Sequence, residues 1–308
     1  MQRRIKMSPT ITVENLYKKY DSKDVLRGIT FTISKGEIFA LLGPNGAGKT
    51  TTVGILTGFL SPTSGDVSVL GYDPLKKPSS FKEKIGIVFQ TSGLDRFLSV
   101  KETLEMYSRY YPDPKSADEV MTLTGLAQEK DTYVRKLSGG MQRRLDVAIA
   151  LIGNPSLLFL DEPTTGFDPE ARRDMWNVIR NLQADDTTIL LTTHYLEEAQ
   201  QLANRIAILQ SGTIAMQGTT SEILQTEKQT VIKFTCDENL DSLPDKSFDI
   251  HKNTNNMYRI ATTNPTKTMH ILTNWAVTNN FVLEELSVTQ PTLEDIYLKL
   301  VKQEDMDQ

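Results

Sequence analysis

The chain carries one cysteine, Cys236, in 308 residues, so no intramolecular disulfide can form and no cysteine-rich metal site can be assembled. A reducing compartment is the expectation. Long hydrophobic runs are missing too. Nowhere do about 18 uncharged apolar residues follow one another, the length a membrane-spanning helix needs. The longest apolar stretches, such as Val147–Ile152, suit a buried helix or strand. Met1-Gln2-Arg3-Arg4 and then Ser8-Pro9 lead into no apolar signal-peptide core. Blocks of a single charge sign are also absent: the net charge is −5 with acids and bases interspersed. With no basic stripe to grip a phosphate backbone, nucleic acid is a poor partner. There is no internal repeat and no heptad run long enough for a coiled coil. These absences predict a soluble chain whose membrane role, if any, is borrowed from a partner.

What is present is an ordinary globular composition, 39% apolar and 24% charged, with room for one sizeable domain and a small appendage or for two modest domains. Ile11–Tyr17 and Val25–Ile33 read as short strands. Ile38–Leu42 reads as a buried strand that runs through a glycine-rich loop into helical spacing over Thr51–Phe59. Further strands are expected at Ile85–Phe89, Leu157–Leu160, Thr188–Thr192 and Ile206–Leu209. A long helical and polar stretch is expected through about Ala127. Further helices fall at the end of Val134–Ile152, at Glu170–Leu182 and at Leu196–Ala203. Buried strands alternating with such helices argue for a mostly parallel sheet with helices on its faces. After about Glu227 the texture turns to Thr, Asn, Lys and Asp. Strand-like Val231–Thr235, Tyr258–Thr262 and Phe281–Val288 there surround a helix over Thr266–Thr278, a small α+β appendage. Thr292 with Asp295 three residues on reads as the N-cap of a last helix, Leu293–Val301.

Gly43-Pro44-Asn45-Gly46-Ala47-Gly48-Lys49-Thr50 matches G-x-x-x-x-G-K-[ST]. Burying a polyphosphate needs many donors close together. The glycines let successive backbone N–H groups point inward, and the following helix adds the positive end of its dipole. Lys49 can reach the β- and γ-phosphates, and the Thr50 hydroxyl can ligate Mg²⁺. Chance alone would place this pattern in on the order of one chain in a hundred of this length, and here it also sits between an apolar strand and an apolar helix.

Leu157-Leu158-Phe159-Leu160 ends in Asp161-Glu162. A strand buried on both faces delivers the two acids at its carboxyl end, where such sheets bind ligands. Asp161 would hold the Mg²⁺ shell, and Glu162 would polarise a water attacking the γ-phosphate. The plain alternative is a pair of acids capping a strand. Leu137-Ser138-Gly139-Gly140-Met141-Gln142 opens a helix just upstream, which alone is equally an anion-binding terminus or a helix-start turn.

The order of a phosphate loop, Gln90, Leu137–Gln142, Asp161-Glu162, Asp168 and His194 resembles the nucleotide-binding subunit of an ATP-binding cassette (ABC) transporter over roughly residues 11–225. The resemblance implies a P-loop NTPase fold of ABC type: a mostly parallel sheet flanked by helices, antiparallel N-terminal strands and a helical signature subdomain. It implies an ATP-binding domain at 1–227, with a C-terminal α+β extension at 228–308. Its ligands are ATP and Mg²⁺. Gly43 to Thr50 and Thr51 would hold phosphate. Tyr20 would stack on adenine, the alternative being a core tyrosine. Gln90 would reach Mg²⁺ and the attacking water, and the segment Thr91–Tyr111 after it would face the membrane subunit. Ser138, Gly139 and Gly140 would contact the γ-phosphate held by a second subunit, and Asp168 would couple the two sites. His194 resembles the switch histidine that bonds the γ-phosphate. Catalysis would thus rest on Lys49, Gln90, Glu162 and His194, and the metal on Thr50, Gln90 and Asp161.

Met141 stands where the family usually has glutamine, and Phe167 where it usually has leucine; neither change removes a charged group. Met141, the stretch His194-Tyr195-Leu196-Glu197-Glu198-Ala199 and Leu293-Glu294-Asp295-Ile296-Tyr297 resemble the daunorubicin-resistance branch of efflux subunits. The expected activity is ATP hydrolysis energising an exporter of a drug, antibiotic or lipid-like compound. The chain would sit at the cytoplasmic face of the cell membrane with separate permease subunits and a second ATP-binding subunit. The alternatives are an importer subunit, a soluble ABC ATPase acting on ribosomes or DNA, and a module that gates without hydrolysing. A single phosphate loop and signature, no heptads and no cysteines between them, and negative charge disfavour the ribosome and DNA readings. Glu162 and His194 disfavour the non-hydrolysing one.

Overall fold

A computed structural model of the chain describes residues 9–76, 78–90, 93–184, 186–226, 229–236, 249–252 and 257–307. Two compact units emerge, Met1–Thr220 and Ser221–Gln308. The boundary expected at 227/228 falls on two residues outside the described set, as do Thr91 and Ser92 at the start of the segment assigned to a membrane partner.

The first unit runs β1 (Ile11–Tyr20), β2 (Lys23–Ile33), β3 (Ile38–Leu42), α1 (Lys49–Leu56), β4 (Ser64–Val69), α2 (Ser79–Lys82) and β5 (Ile85–Val88). It continues through α3 (Val100–Ser108), α4 (Ala117–Leu123), α5 (Gly139–Ile152), β6 (Leu157–Asp161), α6 (Pro169–Ala184), β7 (Thr188–Thr193), α7 (Leu196–Leu202), β8 (Arg205–Gln210) and β9 (Thr213–Gly218). Strands β5-β6-β7-β3-β8-β9 form one sheet, parallel except for the last. Strands β2-β1-β4 form a separate antiparallel sheet.

The parallel strands are mostly apolar, with polar residues at their ends, because both their faces are covered. In β6 every residue is buried. Leu158 and Leu160 join a core built with α3 to α7, while Leu157 and Phe159 turn to the opposite core with α1 and the antiparallel sheet. Each such side chain contributes roughly 1.5–3 kcal/mol by leaving water. The stretch expected to be helical through Ala127 is instead divided into α3 and α4. Pro112 and Pro114 stand between them, and proline cannot donate to a helical ladder. Ser99 restarts the chain with a capping box to Glu102, and Ser116 caps α4. Strands β4 and β9, with half-exposed and polar positions, escaped the sequence reading because ladder bonds to their neighbours, not their own patterning, hold them.

Helix α8 (Thr220–Thr226) begins at the boundary between the units, and the second unit continues with β10 (Thr230–Thr235), β11 (Asp249–Lys252), β12 (Met257–Thr262), α9 (Pro265–Thr278), β13 (Glu284–Thr289) and α10 (Leu293–Asp307). The sheet order β11-β12-β10-β13 is antiparallel throughout. Ile232, Phe234, Tyr258 and Ile260 share one face and pack on Leu272 and Trp275 of α9. Thr292 and Asp295 exchange backbone-to-side-chain bonds of 2.9 and 3.2 Å at the start of α10, and Asp295 is also paired with Arg259. No described helix is long and apolar enough to cross a membrane.

Candidate nucleotide-binding site

Strand β3 delivers the loop Gly43–Thr50 to the sheet's carboxyl edge and α1 leaves from it. The loop needs glycine where the chain crowds itself. A Cβ on Gly43 would lie 2.2 Å from the Leu209 carbonyl oxygen, and Gly48 has φ +110, in the left-handed region open mainly to glycine. Gly48 stands at the N-cap of α1 with no side chain to satisfy the first turn's N–H groups, which leaves them available to an anion. Pro44, Asn45, Gly46 and Thr50 are exposed, and Thr51 is half-buried. Lys49 is only 4% exposed. Its Nζ donates to the Gly43 and Pro44 carbonyls at 2.9 and 3.1 Å and lies 3.1 Å from Glu162 Oε1.

Glu162, one residue past β6, is where the side chains converge. Its φ of +49 is rare for a residue with a Cβ, and its N–H donates to both the backbone oxygen and the hydroxyl of Thr192, each at 3.1 Å. Oε2 accepts from the Thr165 hydroxyl at 3.1 Å and from Gln90 Nε2 at 3.5 Å. His194 Nδ1 lies 3.3 Å from Oε1 without an aligned hydrogen bond. Burial pushes the Glu162 carboxyl up, but Lys49 first and then His194 outweigh it, so the group sits below the usual glutamate range. Asp161 is buried, and its Oδ1 accepts from the Thr192 hydroxyl.

The structure thus brings Lys49, Gln90, Glu162 and His194 together, with Asp161 adjacent. Ser138, Gly139, Gly140 and Asp168 line a pocket of about 840 Å³ that Gln90 and Glu162 also border. Ser138 Oγ accepts the Met141 N–H at 3.3 Å and caps α5. Asp168 accepts the Ala171 N–H at 2.8 Å in the first turn of α6. Tyr20 ends β1, 42% exposed, with Lys18 Nζ 4.6 Å from its ring centre; it takes no part in the Glu162 contacts.

Three partners were not foreseen: Thr165, Thr192 and Arg143. Arg143 is 8% exposed and donates to the carbonyls of Phe89, Asp161 at 2.9 Å, Pro163 at 3.2 Å and Glu162 at 3.3 Å. It therefore ties the ends of β5 and β6 to α5. Burial lowers its pKa, with Asp146 and Asp161 opposing. The available signal was an arginine four residues before Val147 and eight before Leu151, on the buried stripe of α5.

Residues 26–165 match the family model described as ABC transporter. The chain is 41% identical over 218 residues to the daunorubicin resistance ATP-binding protein DrrA3 of Streptomyces coeruleorubidus, covering 69% of each. It is 40% identical over 225 residues to the Nod factor export ATP-binding protein I of Ralstonia nicotianae, covering 71% of this chain and 70% of that one. A solved ATP-binding cassette, in a dimeric post-hydrolysis state bound to ADP and Pi, superposes with a TM-score of 0.61 at 25% identity, over 68% of this chain and 98% of that one. By fold, by the phosphate loop and by these relatives, the chain belongs to the ATP-binding cassette transporter family and is an ATP-binding, ATP-hydrolysing subunit of it.

Proposed function

We propose that this ATPase energises an exporter, working at the cytoplasmic face of the cell membrane with separate permease subunits. The observation that carries the site assignment is the convergence of Lys49, Gln90, Thr165 and His194 on the Glu162 carboxylate. The export reading draws on relatives named for daunorubicin resistance and Nod factor export, and on this basis the cargo is a drug, antibiotic or lipid-like compound.

In this reading the side chains divide the work as their positions suggest. Backbone N–H groups of Gly43–Thr51 and the Lys49 ammonium receive the phosphates, and Tyr20 stacks on the base. Lys49 is the cation that phosphate must draw away from Glu162. Once it turns to phosphate, Glu162 loses its strongest counter-charge and its pKa rises, which makes it a better acceptor for the attacking water's proton. Gln90 and Thr165 aim the carboxylate, and His194 is the neighbouring donor for the γ-phosphate. Thr50, Gln90 and Asp161 offer hydroxyl, amide and carboxylate oxygens, a hard donor set that fits Mg²⁺. Mg²⁺ would supply charge neutralisation on the phosphates. Among the described residues no group of three or more His, Cys, Asp or Glu gathers as a metal cage, in keeping with an ion that borrows ligands from its nucleotide.

Ser138–Gly140 and Asp168 face the second ATP-binding subunit of a head-to-tail dimer, a reading supported by the dimeric state of the related cassette. The ATP-binding domain is assigned to residues 1–227 and the extension to 228–308, a few residues past the division between the two compact units. Exposed Phe97 and Tyr110, at 73% and 75%, suit a permease contact. The test is to purify the tagged chain from membranes in mild detergent and identify what stays bound. A polytopic membrane protein, with ATPase activity abolished by Glu162→Gln, is the expected result; ribosomes or DNA without a membrane protein would overturn the proposal.

A further inference from the structure

Glu198 is fully enclosed, at 0% exposure, and none of the steps above uses it. It lies in the first turn of α7, four residues past His194. An enclosed carboxylate is costly unless donors surround it. Its Oε1 accepts the Thr164 hydroxyl at 2.7 Å and the Trp176 indole N–H at 3.1 Å, while Oε2 has no aligned hydrogen-bond partner among the described residues. The Thr193 hydroxyl and the Arg172 charge also face it. Burial pushes this carboxyl up, and the Thr193, Thr164, Trp176 and Arg172 contacts only partly offset that.

The donors belong to segments that flank the reacting groups. Thr164 precedes Thr165, whose hydroxyl holds Glu162 Oε2. Trp176 belongs to α6, the helix capped by Asp168. Glu198 itself rides on the helix that follows His194, whose ring meets Glu162 from the other side. A second strut runs alongside: the Arg172 guanidinium lies 4.1 Å from the Tyr195 ring centre, and that ring lies 4.1 Å from the His194 ring.

We propose that Glu198 is a positioning residue for ATP hydrolysis, fixing the Thr164–Asp168 loop against the His194 segment so that Glu162 is met from both sides at once. The proposal rests on the roles given above to Glu162 and His194. Packing alone does not call for an acid at this position, whereas holding hydroxyl and indole donors from separate segments does.

The test uses the full chain with Glu198→Gln and, as a control against a folding defect, Thr164→Val, which removes only the hydroxyl that Glu198 receives. Turnover is expected to fall roughly ten- to hundredfold in both, since small misplacements of reacting groups carry losses of this order. KM for ATP should stay within about twofold because the phosphate loop is untouched. The second readout is NMR of labelled histidine, of which the chain has three. The His194 ring signals should move in both variants, while those of His270, in the second unit, stay in place. Wild-type turnover in both variants, an unmoved His194, or a shift of His194 and His270 alike together with a raised KM would overturn the proposal. Glu162→Gln in parallel separates the two failures: wild-type turnover there refutes the site assignment, and its loss beside normal Glu198→Gln and Thr164→Val refutes only the positioning role.

Discussion

At the scale of single residues, the proposed chemistry centres on the Lys49–Glu162 pair. The two side chains are 4% and 8% exposed and 3.1 Å apart, so each compensates a charge that burial would otherwise penalise. Their substitutions should separate. Lys49→Ala removes the cation that phosphate needs and should abolish nucleotide binding in a fluorescent-nucleotide titration. Glu162→Gln should retain binding and lose turnover by about 10²-fold or more, the scale of a general base. Normal turnover in Glu162→Gln would remove Glu162 from catalysis. The pH dependence has a definite sign. Because the folded Glu162 pKa is depressed, the carboxylate stabilises the fold above its unfolded pKa, and that contribution is lost as pH falls through the folded value.

At the scale of elements, α5 and α10 are each anchored by a charge at a helix boundary or on a buried stripe. Arg143 satisfies four carbonyls at the ends of β5 and β6, including those that aim Asp161 and Glu162. Arg143→Met keeps most of the volume but orphans those oxygens. It should lower stability by roughly 2 kcal/mol or more and reduce turnover as well; a urea melt and ATPase assay check both. In α10, Asp295 caps the helix with Thr292 and pairs with Arg259. Burial raises its pKa, and Thr292 followed by Arg259 lowers it further than that, for a net fall. Asp295→Asn should therefore cost about 1 kcal/mol at neutral pH. The deficit relative to wild type should shrink as pH drops below about 4, where the unfolded aspartate begins to protonate. A deficit constant with pH would exclude the charge as its source.

At the scale of the whole molecule, the surface proposed to meet a second subunit is the open pocket at Ser138–Gly140 and Asp168. The signature glycines are exposed or half-exposed at the start of α5, with Ser138 already committed to its own helix. Ser138→Arg fills this surface while leaving the phosphate loop intact. In a Glu162→Gln background, adding ATP should shift the parent to dimer in sedimentation, whereas the Ser138→Arg chain should bind nucleotide and remain monomeric. Dimerisation of both would show that this surface is not the interface.

The sequence by itself determined what is local. The phosphate loop needs eight consecutive residues, the acid pair needs the strand that carries it, and the alternation of buried strands with helices was legible from periodicity. So was the capping of α10, because Thr292 and Asp295 lie within one turn. Only the tertiary structure decided which groups meet. Nothing in the order of residues says that Thr192 orients Asp161, that Arg143 reaches the carbonyls of two strands, or that Glu198 receives Thr164 and Trp176. The edge strands β4 and β9 were hidden for the same reason. Such contacts join segments far apart in the chain, and the packing of both faces of the parallel sheet, rather than any local preference, sets them side by side.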